Sequence, residues 1–120
     1  MKYVFDNDRP IYIQLMEHLK LGIINGIFKK GEKMPSVRDF ALETKVNPNT
    51  VQKALSELEE TGLAYTKGTS GRYITEDDKI IKKFKDKLAR EKANNYFKEM
   101  ARLGYGTKDA INYLEKKGNK

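Results

Sequence analysis

The side chains best suited to recognising another molecule form a polar run between residues 49 and 56. Amides, hydroxyls and a lysine at this spacing can bond to base edges in the major groove of DNA and neutralise a phosphate. The acidic residues of the same segment begin only at Glu57. The pattern predicts a DNA-reading surface, although the solvated face of an ordinary amphipathic helix has the same composition. The polar run consists of Asn49, Thr50, Gln52, Lys53 and Ser56.

A second candidate group lies upstream, where Ser36 and Arg38 fall at the start of a short predicted helix. The unpaired backbone N–H groups of a helix N-terminus can bind a phosphate oxygen, and Ser36 stands beside them. Arg38, in the first turn, can bind a phosphate or reach a base. The alternative is a surface salt bridge from Arg38 to Asp39 or Glu43.

A glycine-rich loop, Gly-Thr-Ser-Gly, occupies residues 68–71. Glycine allows the backbone to approach a groove closely, and basic side chains at both ends of the loop favour a polyanion. A plain solvated hairpin would carry the same residues. The candidate DNA contacts in this region are Lys67, Gly68, Thr69, Gly71 and Arg72.

Catalytic chemistry lacks its components in this chain. Cysteine is absent and His18 is the single histidine. The residue types that a zinc site, a Cys–His pair or a Ser–His–Asp triad requires are therefore almost entirely missing. Neighbouring acids such as Glu59 and Glu60 point in different directions and do not form an acid–base pair. We therefore expect no enzyme activity, no metal and no cofactor, and we place His18 within the first helix as a surface or boundary residue rather than a catalytic base.

Two predicted helices position the polar residues. The first begins after an N-cap at Ser36, and the second begins with Asn47 as its cap and Pro48 in its first turn. Only the three residues from Lys45 to Asn47 separate them, which is typical of a helix-turn-helix. The expected core residues are Val37, Phe40 and Ala41 from the first helix and Val51, Leu55 and Leu58 from the second.

Another helix precedes this pair and a hairpin follows it. Pro10 can begin the preceding helix, Asn25-Gly26 can end it, and a polar loop is predicted at residues 29–33. β-Branched and aromatic runs at residues 63–67 and 72–75 enclose the glycine-rich loop, which predicts a wing hairpin. The stripe of the preceding helix comprises Ile11, Leu15, Leu19 and Ile23, with Tyr12, Met16 and Ile24 beside it.

From Asp77 the pattern predicts a long helix that ends near Leu103 and a short one capped by Thr107. Two such helices cannot close a core by themselves, so the same stripe on a second copy is the simplest cover. Packing back onto the rest of the chain is the alternative. We divide the chain into a DNA-binding domain, residues 1–75, and a helical dimerisation segment, residues 76–120. The expected dimerisation residues are Ile81, Phe84, Leu88, Tyr96, Phe97, Met100, Leu103, Ile111 and Leu114.

Composition agrees with a small binding protein. The chain has 120 residues and a net charge of +7, which favours a polyanionic partner. Residues 1–75 carry 11 Lys and Arg against 9 Asp and Glu, whereas residues 76–120 carry 13 against 8. The charge therefore only supports the local pattern. Apolar runs are too short to span a bilayer and no signal peptide is present, so we expect a cytoplasmic protein without a membrane partner.

These segments resemble the winged-helix domain of the GntR family of bacterial transcriptional regulators. The resemblance covers about residues 10–75 and rests on four elements in order: MPSVRDFA at 34–41, VNPNTVQKAL at 46–55, LEETGL at 58–63 and the loop at 68–71. Residues 5–6 and 10–14, with the short helical tail, are similar to the YtrA-type subfamily, whose C-terminal part mainly dimerises the protein.

The resemblance implies a mainly α fold with a small β-hairpin, a winged helix-turn-helix domain followed by a short two-helix dimerisation segment. Pro48 and Gln52 stand where many members have arginine, so direct guanine reading by these two positions is lost. Lys45 stands where the turn often has glycine, and a positive φ there would cost about 1 kcal/mol. The DNA contacts that the resemblance implies are Ser36, Arg38, Asn49, Thr50, Lys67, Gly68, Thr69 and Gly71.

We therefore predict a sequence-specific transcriptional regulator, a repressor, that binds double-stranded DNA at a pseudo-palindromic operator as a homodimer. The alternative is a winged-helix module used for protein or RNA contacts. The thin C-terminal segment predicts either no small-molecule effector or one bound at the dimer interface, and the identity of any effector is unknown.

Overall fold

A computed structural model describes residues 4–118, and the helices and strands within them confirm a mainly α fold with a small hairpin. By contacts the chain separates into two compact units, Met1–Lys83 and Phe84–Lys120. The domain boundary expected after residue 75 stays a prediction, and residues 1–3 and 119–120 of the two expected domains lie outside the described residues. The elements are α1 (Ile11–Ile24), α2 (Val37–Thr44), α3 (Pro48–Glu60), β1 (Ala64–Thr66), β2 (Arg72–Ile74), α4 (Asp78–Arg102) and α5 (Thr107–Gly118).

Helix α3 is the centre of the N-terminal unit, because α1, α2 and β1 all pack against it. Its apolar residues recur at helical spacing and face inward, as the sequence predicts. Val37 is only half-buried, and Ile11, in the first turn of α1, stays 37% exposed. The buried predicted residues are Leu15, Met16, Leu19 and Ile23 from α1, Phe40 and Ala41 from α2, and Val51, Leu55 and Leu58 from α3.

Capping residues fix where the two helices of the helix-turn-helix begin. The Ser36 hydroxyl accepts a hydrogen bond from the Asp39 N–H at 3.1 Å, and the Asn47 side chain accepts one from the Asn49 N–H at 2.8 Å. Pro48 is the first residue of α3, where its missing N–H leaves no donor unpaired. Both predicted starts are confirmed. Each cap satisfies one of the N–H groups that a helix end leaves without a partner.

The turn between α2 and α3 requires a left-handed residue. Lys45 has a φ of 60° and a ψ of 31°, a conformation that costs a non-glycine residue about 1 kcal/mol. Beside it, the Thr44 hydroxyl donates to the Phe40 carbonyl at 2.7 Å and accepts from the Val46 N–H at 3.3 Å. The strained residue is therefore held by bonds on both sides of the turn.

A buried glutamine, which the apolar pattern does not predict, holds the segment before α1. Gln14 is 3% exposed. Its amide oxygen accepts from the Asp6 N–H at 2.6 Å, and its amide nitrogen donates to the carbonyls of Asp6 at 2.9 Å and Arg9 at 2.8 Å. Because all these polar groups are paired, the buried amide is tolerated in the core. Pro10 is the N-cap of α1 rather than its first residue, so the helix begins one residue later than expected.

The wing is a two-stranded antiparallel sheet that pairs Ala64 with Ile74 and Thr66 with Arg72. The prediction of a polar loop at residues 29–33 is partly wrong, because residues 32–34 pair with β2. The Ile74 N–H donates to the Glu32 carbonyl, and the Met34 N–H donates to the Arg72 carbonyl, both at 2.9 Å. A single antiparallel bridge between residues 33 and 73 lies between these two hydrogen bonds, so the segment adds one short pairing to the edge of β2. The pairing was not predicted because it joins residues about 40 positions apart and has too few residues to show strand alternation.

The C-terminal unit contains residues 84–102 of α4 and all of α5. Within it, Ala110 is fully buried, and the Tyr96 hydroxyl donates to the Ala110 carbonyl at 2.7 Å. Ile111 and Leu114, which the sequence assigns to dimerisation, are 43% and 52% exposed in the single chain. Thr107 is the first residue of α5 rather than its cap. Gly104, with a φ of 96°, follows the end of α4.

Candidate nucleic-acid interface

The first two turns of α3 present a polar face to solvent. Asn49, Gln52 and Lys53 are exposed and Thr50 is half-buried. They face outward because the apolar stripe of α3 occupies the opposite side of the helix. A helix that is bare and polar at its N-terminal end is suited to insertion into a major groove. Whether these residues contact DNA stays a prediction.

Two of these side chains also bond within the chain. The Gln52 amide donates to the Ser56 hydroxyl at 3.0 Å, one turn further along α3. The Lys53 ammonium lies 4.7 Å from the centre of the Tyr12 ring, a cation–π distance. Both contacts are at the surface, so they orient the polar ends of the side chains without removing them from solvent.

The second predicted group lies beside the start of α3. Ser36 and Arg38 are exposed, and within residues 4–118 Arg38 forms no salt bridge, so the surface pairs with Asp39 and Glu43 are absent there. Arg38 and Pro48 line the same open groove of about 500 Å³. The structure thus places the arginine of α2 on the same groove as the first residue of α3. The other residues that line this groove are Val37, Ala41, Leu42 and Val46.

The wing loop projects as a tight turn with its basic residue outside. The Lys67 N–H donates to the Gly71 carbonyl at 2.9 Å, and the Ser70 N–H donates to the Lys67 carbonyl at 3.0 Å. Gly71 has a φ of 122°, and a Cβ there would lie 3.2 Å from a side-chain carbon of Lys33. Lys67, Gly68 and Thr69 are exposed, as a groove contact requires, while Gly71 is half-buried.

Aromatic rings support the outer face of the hairpin. The Tyr65 and Tyr73 rings stack with centroids 5.9 Å apart. The Tyr73 hydroxyl bonds to the Ser70 hydroxyl at 2.7 Å, and the Lys67 ammonium lies 5.8 Å from the centre of the Tyr73 ring. These contacts order the loop residues that the sequence assigns to DNA.

Arg72 differs from the other predicted contacts because its guanidinium is engaged within the protein. Its Nε donates to a carboxylate oxygen of Glu59 at 2.7 Å, and its side chain is only 21% exposed. The Thr66 hydroxyl donates to the same oxygen. Alternation along the strands gives a signal for this position, because Arg72 shares a face with the buried Ile74. As a DNA contact, Arg72 stays a prediction.

The acids near the C-terminal end of α3 bind inward partners. The Tyr12 hydroxyl donates to Glu57 at 2.6 Å, and Lys20 lies 3.8 Å from the other oxygen of that carboxylate. Burial, followed by the hydrogen bond to Glu57 and the charges of Glu57 and Glu60, raises the pKa of Tyr12 to about 12. Negative charge is therefore concentrated away from the end of α3 that is bare and polar.

His18 lies within α1, at the boundary between surface and core, as expected. Its ring is half-buried and meets the Phe5 ring edge to face, with centroids 5.6 Å apart. Its Nε2 lies 3.4 Å from the Val4 carbonyl oxygen. Among the described residues, no group of three or more His, Cys, Asp or Glu could hold a metal ion. In the same part of the chain no helix has the length and apolar character to cross a membrane.

The predicted dimerisation residues are apolar or aromatic side chains that the single chain leaves incompletely covered. Leu103 is 73% exposed, the highest value among them. Ile81 belongs to the N-terminal unit, and the others belong to the C-terminal unit. Their role in dimerisation stays a prediction. The half-buried members are Ile81, Phe84, Leu88, Tyr96, Phe97 and Met100, and the exposed ones are Leu103, Ile111 and Leu114.

Known proteins resemble this chain in sequence and in structure. The family model of bacterial regulatory proteins, gntR family, matches residues 11–74. The uncharacterized HTH-type transcriptional regulator YhcF of Bacillus subtilis is 39% identical over 100 residues, which cover 83% of each chain. The HTH-type transcriptional repressor YtrA of the same organism is 46% identical over 70 residues, 58% of this chain and 54% of that protein.

A solved structure extends the likeness over nearly the whole chain. It is a GntR family transcriptional regulator from Listeria monocytogenes, with a TM-score of 0.83 and 37% sequence identity. The match covers 93% of this chain and 98% of that one. The similarity therefore includes the C-terminal helices as well as the winged helix.

Proposed function

Because the chain belongs to the gntR family of bacterial regulatory proteins, we propose that it represses transcription as a homodimer bound to a pseudo-palindromic operator. Membership of that family makes it a DNA-binding transcriptional regulator and not an enzyme, in agreement with the sequence analysis. Repression is supported by the 46% identity to a protein named as a repressor. Its site of action is the cytoplasm, where bacterial DNA lies.

The observation that carries the proposal is the bare polar start of α3, whose first residue shares a groove with Arg38. Asn49, Thr50 and Gln52 reach base edges in the major groove, while Arg38 binds a phosphate or a base beside them. The Ser36 end of α2 provides N–H groups for a phosphate. Lys53 adds a charge that positions α3 on the DNA backbone.

The wing makes a second contact with the same duplex. Lys67 binds a phosphate, and the exposed Gly68 and Thr69 allow the loop backbone to come close to the groove wall. The half-buried Gly71 keeps the turn in the conformation that this approach needs. Base reading by α3 gives sequence specificity, whereas the wing fixes register and orientation.

A second copy of the chain covers the apolar side chains of α4 and α5. In a symmetric dimer the two α3 helices meet successive major grooves, about 34 Å apart along the DNA. This arrangement requires two inverted half-sites in the operator. The expectation for a small-molecule effector stays either none or one bound at the dimer interface.

Selection of bound sites from random duplex DNA, followed by gel shifts, tests the proposal. We expect an inverted repeat, and we expect Arg38→Ala to weaken the specific complex by at least about 30-fold, because each of the two copies loses a charged contact worth about 1–3 kcal/mol. Arg90→Ala, at an exposed position of α4, is the matched control and should leave affinity unchanged.

Three results would contradict the proposal. An unchanged complex with Arg38→Ala removes Arg38 from the site. A single unrepeated half-site argues against the dimer. Binding to RNA with no selected DNA sequence favours the alternative of a winged-helix module used for other contacts.

A further inference from the structure

Two side chains at the loop end of the wing strands, Thr66 and Arg72, bind one carboxylate of α3. Thr66 is the last residue of β1 and Arg72 the first of β2, so they form the pair that adjoins the loop. The Thr66 hydroxyl and the Arg72 Nε both donate to the same oxygen of Glu59, near the C-terminal end of α3. A single acid therefore joins the wing to the helix.

Strand alternation determines which basic residue of the wing Glu59 can reach. Thr66 and Arg72 share the face of Ala64 and Ile74, which are buried in the core. Lys67 comes after the paired residues, in the loop, where its ammonium lies over the outer Tyr73 ring. Of the two cations that flank the glycine-rich loop, Arg72 thus lies on the face that packs on the core and Lys67 on the outer face.

The contacts hold Arg72 more firmly than an ordinary surface arginine. The side chains of Arg72 and Glu59 are 21% and 30% exposed, so solvent screens the pair only in part. The Arg72 carbonyl also accepts from the Met34 N–H at 2.9 Å. A phosphate that approaches the wing has to compete with Glu59 for this guanidinium, whereas Lys67 has no carboxylate within salt-bridge distance among the described residues.

We propose that Glu59 is a positioning residue that withholds the charge of Arg72 from DNA and thereby limits sequence-independent affinity. The inference rests on the proposed function and refines its wing contact. Lys67 then supplies the phosphate charge at the wing, and Arg72 fixes the wing on α3. Since sequence-independent affinity comes from phosphate charge, withholding one arginine per wing raises the ratio of specific to nonspecific binding.

The salt dependence of DNA affinity tests this assignment. The full chain and its variants are titrated with the selected operator and with unrelated duplex at 50 and 200 mM salt. Each phosphate contact contributes about 0.9 to the slope of log K against log salt. Glu59→Gln keeps the shape and an acceptor oxygen but removes the negative charge, so it should release Arg72. We expect its slope to steepen by about 1.8 for a dimer with two wings, which corresponds to about tenfold extra affinity loss over this salt range.

Matched variants separate the charge from the fold of the wing. Thr66→Val removes the other hydrogen bond to Glu59 without a change of charge, and it should leave the slope unchanged. Arg72→Gln should also leave the slope unchanged, whereas Lys67→Gln should lower it by about 1.8. The double variant Glu59→Gln with Arg72→Gln should return to the wild-type slope.

Each outcome has one reading. A wild-type slope in Glu59→Gln overturns the inference, and so does a loss of slope in Arg72→Gln that equals the loss in Lys67→Gln. In both cases operator binding by the wild-type chain leaves the proposed function standing. If the wild-type chain forms no operator complex at all, the proposed function fails and the inference fails with it.

Discussion

The two units of this protein solve the problem of apolar burial differently. In the N-terminal unit, Phe40, Leu55 and Leu58 are at most 1% exposed. In the described part of the C-terminal unit, Ala110 is the one fully buried apolar residue, while Leu103 is 73% exposed and Leu114 is 52% exposed. One unit has closed its core within the chain and the other has not.

Because of this difference, we assign DNA recognition to the N-terminal unit and association with a second copy to the C-terminal unit. The residues that we assign to DNA stand on elements that the N-terminal core already holds in place, so their geometry does not depend on a partner. The C-terminal helices leave apolar area that favours association with a second copy. Substitutions in the two units should therefore have different consequences, one in folding and one in oligomeric state.

The largest effect is expected for the core of the N-terminal unit. Phe40→Ala should lower the free energy of unfolding by about 3–5 kcal/mol because it empties a fully enclosed site. Chemical denaturation measures the change. Leu42→Ala, on the same helix but 70% exposed, is the control and should stay within about 0.5 kcal/mol. A cost below about 1 kcal/mol for Phe40→Ala would show that this core is not closed.

The next effect concerns the C-terminal unit. Leu114→Asp should weaken the dimer by about 3 kcal/mol, more than 100-fold in Kd, because each copy loses a buried leucine worth 1.5–3 kcal/mol. Sedimentation equilibrium gives the Kd, and circular dichroism should show helices retained. Asn112→Asp, exposed on the same helix, introduces the same charge as a control. An unchanged Kd in Leu114→Asp would move the interface elsewhere.

The smallest effect sharpens the account of the N-terminal unit at its polar edge. Tyr12→Phe removes the hydrogen bond to Glu57 and should cost about 1 kcal/mol near neutral pH. The pKa of Tyr12 is raised to about 12 from its ordinary value of 10, so the folded state favours the neutral phenol. The stability that the neutral phenol of Tyr12 contributes is fully present below pH 10 and is lost as the pH rises toward 12.

The measurement compares denaturation of the wild-type chain and Tyr12→Phe from pH 8 to pH 11.5. Their difference in stability should shrink above pH 10. The same substitution at Tyr65, which is 40% exposed, is the control. A difference that stays constant with pH would mean that Tyr12 ionises alike in the folded and unfolded chains.

Local rules account for the parts of the fold that sequence reasoning predicts well. The Asn47 cap followed by Pro48 sets the start of α3, and the apolar spacing to Leu58 sets its buried face. Lys45 is left-handed at the position where the family resemblance often has glycine. Each of these features depends on residues within one or two turns of each other, so the chain itself carries the signal.

Contacts that lie outside the regular spacing of a helix or a strand account for the misses. Gln14 is buried because the carbonyls of Asp6 and Arg9 fold back over α1. Segment 32–34 pairs with β2 although its own sequence has the composition of a loop. Arg72 meets Glu59 only when the hairpin packs on α3. No periodicity records such meetings, because each depends on where another element lies.

By itself, the sequence determined the helix-turn-helix, the wing hairpin and the polar face of α3, since caps, periodicity and glycine turns act over a few residues. Only the tertiary structure decided that Arg72 pairs with Glu59, and that Ile111 and Leu114 stay exposed in the single chain. The physical reason is that charge pairing and burial are properties of position in space, and residues far apart in the chain acquire that position only when the elements pack.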